Sequence, residues 1–162
     1  RLADEGQAWP RAPRMNAEQP INPDPRYARN QGYRFRGYYL GELDTPTLMY
    51  SSGPVEVEDT SRAVEVEGRP VLRRELSLVA PAAETLYMRI LTGDIKEHSP
   101  TSFQTEDLRV SLPPGQVVLQ RARVEPAPEE GEPGAEPSLE LLLKLSLSEG
   151  TTTLTLDYEL LR

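Results

Sequence analysis

The chain has 162 residues, no cysteine, and 26 acidic against 18 basic side chains, a formal net charge of −8. That length suits one domain with a real core. The charge argues against a general nucleic-acid binder, which needs a basic patch to displace counterions. The missing cysteines exclude disulfides, thiol catalysis, Cys-x-x-Cys zinc sites and covalently attached haem within this stretch.

No apolar run approaches the roughly 18 residues of a membrane-spanning helix. Sixteen prolines and eleven glycines, with no apolar stripe at helical spacing, favour short strands and irregular connections. The first residue is Arg1 and no signal-like segment follows it, so the expectation is a processed or excised piece of a longer protein.

Residues 1–32 are proline-rich and aperiodic: Trp9-Pro10, Pro13-Arg14, Pro20 and Asn22-Pro23-Asp24-Pro25-Arg26. Dense prolines remove amide donors and push the residues before them towards extended backbone. Two readings stay open, an extended arm anchored by Trp9 and Tyr27, or an interdomain linker.

Residues 33–162 read as one β-sandwich domain. Alternation starts at Tyr33, with Tyr33, Phe35, Gly37 and Tyr39 on one face of a strand and Arg34, Arg36, Tyr38 and Leu40 on the other. Gly41 to Thr45 makes a loop, and Pro46 to Ser51 a second strand. Ser52-Gly53 turns into Val55-Glu56-Val57-Glu58, valines inward, and Val64-Glu65-Val66-Glu67 repeats the pattern as a second short strand. In Val71 to Val79, Leu72, Leu76 and Leu78 face inward. Arg74 shares their parity, so either a bulge moves it out or it sits at the core's rim beside an acidic partner. Pro81 to Glu84 leads into Leu86 to Leu91. Asp107 to Leu112 and Gln116 to Ala122 read as a pair around a Pro113-Pro114-Gly115 turn.

Residues 125–137 are acidic, low in complexity and without a large apolar side chain, which predicts a mobile loop inserted between two strands of one sheet. From Ser138 the chain is leucine-rich at every second position. Leu139, 141, 143, 145 and 147 form one set, and Leu154, Leu156, Tyr158 and Leu160 another. If Glu149-Gly150 is a two-residue hairpin turn, Leu145 lies opposite Leu154, Leu143 opposite Leu156, Leu141 opposite Tyr158 and Leu139 opposite Leu160. The expected fold is all-β, a two-layer antiparallel β-sandwich with an extended proline-rich N-terminal arm.

Several segments resemble a recurring accessory region. They are Trp9-Pro10 with Pro13-Arg14-Met15-Asn16, Tyr33-Arg34-Phe35-Arg36-Gly37-Tyr38, Pro46-Thr47, Tyr50, Val55-Glu56-Val57-Glu58-Asp59, Arg73-Arg74-Glu75-Leu76-Ser77-Leu78, and Leu86-Tyr87. The region is found in large exported proteins of planctomycete-type bacteria that also carry a c-type cytochrome domain and often a sugar-dehydrogenase-like propeller. The likeness runs from Trp9 to Leu91. It implies a multidomain parent and a periplasmic or secreted setting. It carries no catalytic residue to transfer.

The candidate chemistry is sparse. Asp94, His98 and Ser99 contain the residue types of a triad, but they fall in a polar loop with the chain's single histidine. No catalytic residue, metal site or cofactor is expected. The glutamates of the valine strands read as a solvated sheet face rather than a glycosidase pair. Arg34, Arg36 and Tyr38 stand out as a basic-aromatic strip in an acidic chain, of a composition suited to interfaces. They are the candidate binding residues. The expected function is a non-catalytic module that docks neighbouring domains of its parent or another partner. Binding of a polysaccharide is the alternative, and a sugar-active enzyme domain a third reading.

Overall fold

The structure, a computed structural model, describes residues 2–3, 33–122 and 138–161. In chain order the strands are β1 (Leu2–Ala3), β2 (Tyr33–Leu40), β3 (Pro46–Ser52), β4 (Val55–Val66), β5 (Arg69–Ala80) and β6 (Glu84–Gly93). Then come β7 (Lys96–Ser99), β8 (Ser102–Gln104), β9 (Leu108–Ser111), β10 (Val117–Ala122), β11 (Leu139–Leu147) and β12 (Gly150–Leu160). All pairings are antiparallel. The large sheet runs β2-β3-β4-β5-β12-β9-β8-β7. The small one runs β1-β6-β11-β10, with β1 contributing only two residues at its edge. The chain is an all-β, two-layer antiparallel sandwich.

Alternation explains why the layers meet. Val55, Val57, Leu76, Leu78, Leu154 and Leu156 line the inner face of the large sheet. Leu86, Met88, Leu141, Leu143, Leu145 and Leu147 line that of the small one, and one continuous core joins them. Each side chain of this size removed from water contributes roughly 1.5–3 kcal/mol.

The leucine stretch is not a hairpin. β11 pairs with β6 and β10 in the small sheet, while β12 pairs with β5 and β9 in the large one. Ser148-Glu149 carries the chain across the sandwich, so the two leucine faces oppose each other as layers instead of lying side by side. Period-two spacing is identical in both arrangements, because it reports which face a residue is on and not which strand lies beside it. The same correction applies at Pro113-Pro114-Gly115. β9 belongs to the large sheet and β10 to the small one, so this link is another crossing.

Two further expectations resolve at residue level. The two valine-glutamate quartets belong to one strand, β4, twelve residues long. Val55 and Val57 are buried, but the spacing between the quartets is odd, so Val64 and Val66 emerge on the opposite face, half-buried. At the other expectation, β10 and β11 do pair within one sheet, with Ala122 opposite Leu139. The acidic stretch 125–137 between them, and the proline-rich arm beyond Ala3, lie outside the described residues.

These placements make two predictions. Leu143 and Leu156 are both 0% exposed on opposing layers, so Leu143→Ala and Leu156→Ala should each cost about 2–5 kcal/mol in urea denaturation, against little for Lys144→Ala. Because Ala122 and Leu139 already stand side by side, replacing 125–137 with a short Gly/Ser linker should leave the denaturation midpoint nearly unchanged. Failure to fold on that replacement would contradict it.

Candidate functional site

The predicted strip lies on β2, the edge strand of the large sheet, and a bulge divides it. Phe35 pairs with Tyr50 and Gly37 with Met49, so Arg36 is the extra residue. Gly37 there has φ 132°, a backbone conformation that residues with a Cβ avoid. Arg34 lies opposite Ser51, and Arg36 ion-pairs with Glu56 on the outer face of the sheet. Past the bulge the parity flips. Tyr38 lies opposite Leu48, on the same face as buried Tyr50, which is the core side. Arg34 and Arg36 therefore stay together and Tyr38 does not join them. Tyr39 takes the outer position instead, its hydroxyl donating to Glu58 at 3.4 Å.

On the core side, the small sheet's cover ends at β3. Tyr50 and Ser52 are buried, but Leu48, the next core-side residue along that strand, is 42% exposed. Beyond it Phe35, Tyr38 and Leu40 are all more than 40% exposed, so the end of the β2–β3 hairpin presents an apolar, partly aromatic surface. Arg34 is exposed, with no hydrogen bond or ion pair among the described residues.

A polar cluster marks the border between that surface and the core. Asp59 and Arg74 both occupy inward-facing positions, on β4 and β5. The guanidinium donates from Nε to Oδ1 at 2.9 Å and from Nη2 to Oδ2 at 2.5 Å. The Tyr50 hydroxyl donates to Oδ2 at 3.2 Å. Burial works against the charge on Arg74, but the hydrogen bonds and the charge of Asp59 outweigh it and hold the guanidinium more firmly protonated than usual. Burial also pushes the neighbouring Tyr158 phenol above its ordinary range, while Arg74 pulls it down. So Arg74 sits at the core's rim beside an acidic partner, and no bulge moves it out. Asp59 is that partner, and Val55, Val57 and Asp59 follow one alternation. Two opposite charges at core parity on successive strands were the available signal.

Elsewhere several charged groups pair with one another. On the outer face of the large sheet, Arg73 makes a two-pronged contact to Asp157 at 2.8 Å, Arg62 meets Glu75 at 3.1 Å, and Glu159 bridges Arg69 and Arg109. On the outer side of the small sheet, Glu140 is fully buried between Arg121 at 2.6 Å and Arg89 at 3.7 Å. Alternation alone would have sent Glu140 to solvent. Asp94 and His98 are exposed and Ser99 half-buried. Lys96–Ser99 forms the short edge strand β7 rather than the expected loop, and Asp94 pairs with Lys96. Among the described residues no group of three or more His, Asp or Glu side chains is placed to hold a metal ion. None of their helices is long and apolar enough to cross a membrane.

No protein-family model and no curated protein sequence matches the chain. Among solved structures the fold is similar to "Heparinase III-BT4657 gene product", with a TM-score of 0.52 and 10% sequence identity. The likeness takes in 80% of this chain but only 21% of that protein, and at this identity it concerns the fold alone.

The border cluster has a measurable signature. Below the ordinary tyrosine pKa of about 10, Tyr158 is neutral folded or unfolded; above it the unfolded chain loses the proton first, so the stability this group contributes declines as pH rises towards its raised folded value. Tyr158→Phe removes that titration. The wild-type denaturation midpoint should therefore fall more steeply above pH 10 than the variant's, and parallel slopes would contradict the burial of the phenol.

Proposed function

We propose that the chain is a non-catalytic β-sandwich module of a larger exported protein, and that it docks a neighbouring domain or partner through the β2–β3 end of its large sheet. The observation that carries this reading is the exposed surface of Phe35, Tyr38, Leu40 and Leu48 where the second layer stops. Tyrosine, phenylalanine and arginine are the side chains that anchor interfaces most often, and Arg34, on the other face of the same strand, has no ion-pair partner among the described residues. The multidomain parent, with cytochrome and dehydrogenase-like neighbours, and the periplasmic or secreted setting rest on the resemblance of residues 9–91.

Carbohydrate binding is the second reading. It is favoured by the likeness to a protein named as a heparinase and by the exposed rings of Phe35 and Tyr38, which offer stacking faces. The charge pattern favours a neutral glycan over an acidic one, because Arg36, Arg62, Arg69, Arg73 and Arg109 each already have a carboxylate partner and Arg34 alone does not offset a net charge of −8.

Calorimetry separates the two. The ligands are the recombinant neighbouring domain of the parent protein and a panel of neutral and acidic polysaccharides, heparin included. Under the docking reading the neighbouring domain binds, and Tyr38→Ala with Arg34→Glu weakens it roughly tenfold or more while the melting temperature holds, since both residues are exposed. Under the glycan reading a polysaccharide binds, Tyr38→Ala alone abolishes it, and high salt does not. Binding by the double variant at wild-type strength, or no binding of any kind, removes this surface as the site.

A further inference from the structure

The connection between β2 and β3 holds two consecutive non-glycine residues in left-handed backbone, Leu43 (φ 55°, ψ 35°) and Asp44 (φ 55°). Leucine is poorly suited to that region, so the loop must be held there by other means. It is closed by the Gly41 amide donating to the Thr45 carbonyl at 2.9 Å and the Thr45 amide donating to the Glu42 carbonyl at 3.2 Å. The turn so fixed carries Leu43 outward, 99% exposed, with the exposed acids Glu42 and Asp44 on either side. Beneath it, on the core side of the hairpin, Leu40 lies opposite Pro46 and Tyr38 opposite Leu48, two exposed apolar pairs in succession.

Of the surfaces that could receive an apolar tip, the charges select one. An anionic membrane would repel Glu42 and Asp44 as Leu43 approached it. A second copy docked tip to tip would bring the same acids against each other. A glycan is held by rings that stack on its sugar faces, and the leucine at the tip offers no ring. We infer that the β2–β3 tip is a docking anchor that inserts Leu43 into an apolar socket on a protein partner whose rim carries lysine or arginine facing Glu42 and Asp44. This rests on the docking reading above and adds the partner's chemistry to it. The fixed turn presents the leucine already ordered, which lowers the entropic cost of binding.

The test uses the full chain and two fluorescently labelled amphipathic helical peptides with the same leucine face, one flanked by lysine and the other by glutamate, read by anisotropy. The lysine-flanked peptide is expected to bind and the glutamate-flanked one to bind far less. Leu43→Ser should weaken binding roughly tenfold or more without changing the melting temperature, because the side chain touches solvent only. Glu42→Lys with Asp44→Lys should reverse the preference between peptides. Equal binding of both peptides by the wild type, or no binding of either, overturns the proposal. Binding lost in Tyr38→Ala yet retained in Leu43→Ser also overturns the tip anchor while upholding docking through β2. Binding that neither substitution moves counts against both.

Discussion

The structure depends on the burial of two leucine faces against each other across the sandwich. β11 supplies Leu141, Leu143, Leu145 and Leu147, β12 supplies Leu154 and Leu156, and all are buried. Ser148-Glu149 is a short link, and by changing sheets within it the chain makes two consecutive strands into each other's covering layer. A hairpin would have placed all these leucines on one side of one sheet, needing a further layer to shield them. The adjoining link between β5 and β6 crosses beside it: Ala80 pairs with Gly150, and Glu84 with Leu147. The two crossings close one end of the core together.

The unequal width of the layers follows from this arrangement and creates the surface of interest. The large sheet has eight strands, and the small one has three beyond the two-residue β1. Leucine and valine suffice for the inner face where the layers overlap. At the margin the inward positions change to Tyr50, Asp59, Arg74 and Tyr158, groups that tolerate partial hydration when bonded to one another. Past that margin the inward parity continues on β2 and β3 with no covering strand among the described residues, and Tyr38, Leu40 and Leu48 are exposed. The exposed apolar surface is thus the continuation of the core pattern beyond the core.

Much of this was legible in the residues. Alternation gives the face at Val55 and Val57, Leu76 and Leu78, and the odd-numbered leucines of β11, whereas Leu72 and Leu160, at the same inward parity on β5 and β12, are exposed. It does not give partners, because a period of two carries no information on which strand lies alongside. That is why the leucine stretch and the Pro113-Pro114-Gly115 link both read as hairpins from their residues alone. Faces failed where one residue changed the count. The odd spacing between Val57 and Val64 flips the valines within β4, and the bulge at Arg36 separates Tyr38 from the arginines. Gly37 was the visible mark of that bulge, since an isolated glycine inside a strand often signals one. Glu140 had a fainter mark. Its neighbours Leu141-Leu142-Leu143 break the polar alternation, as expected of a strand buried on both faces, and Leu142 is indeed fully buried.

The bulge also bears on how the surface can be used. β2 ends its sheet, and an edge strand with free amides and carbonyls invites pairing with any extended chain. Here the strand is kinked midway at Arg36 and Gly37, which interrupts the straight ladder that an added strand would need. Under the docking proposal, recognition at this end of the molecule would fall to side chains rather than to backbone pairing. The side chains on offer are sorted by that same kink. Charge lies on the outer face, where Arg36 is neutralised by Glu56, and apolar surface lies on the core side. A partner drawn to this hairpin would approach from the core side, where desolvation is favourable and on that side β2 and β3 hold no ion pair among the described residues.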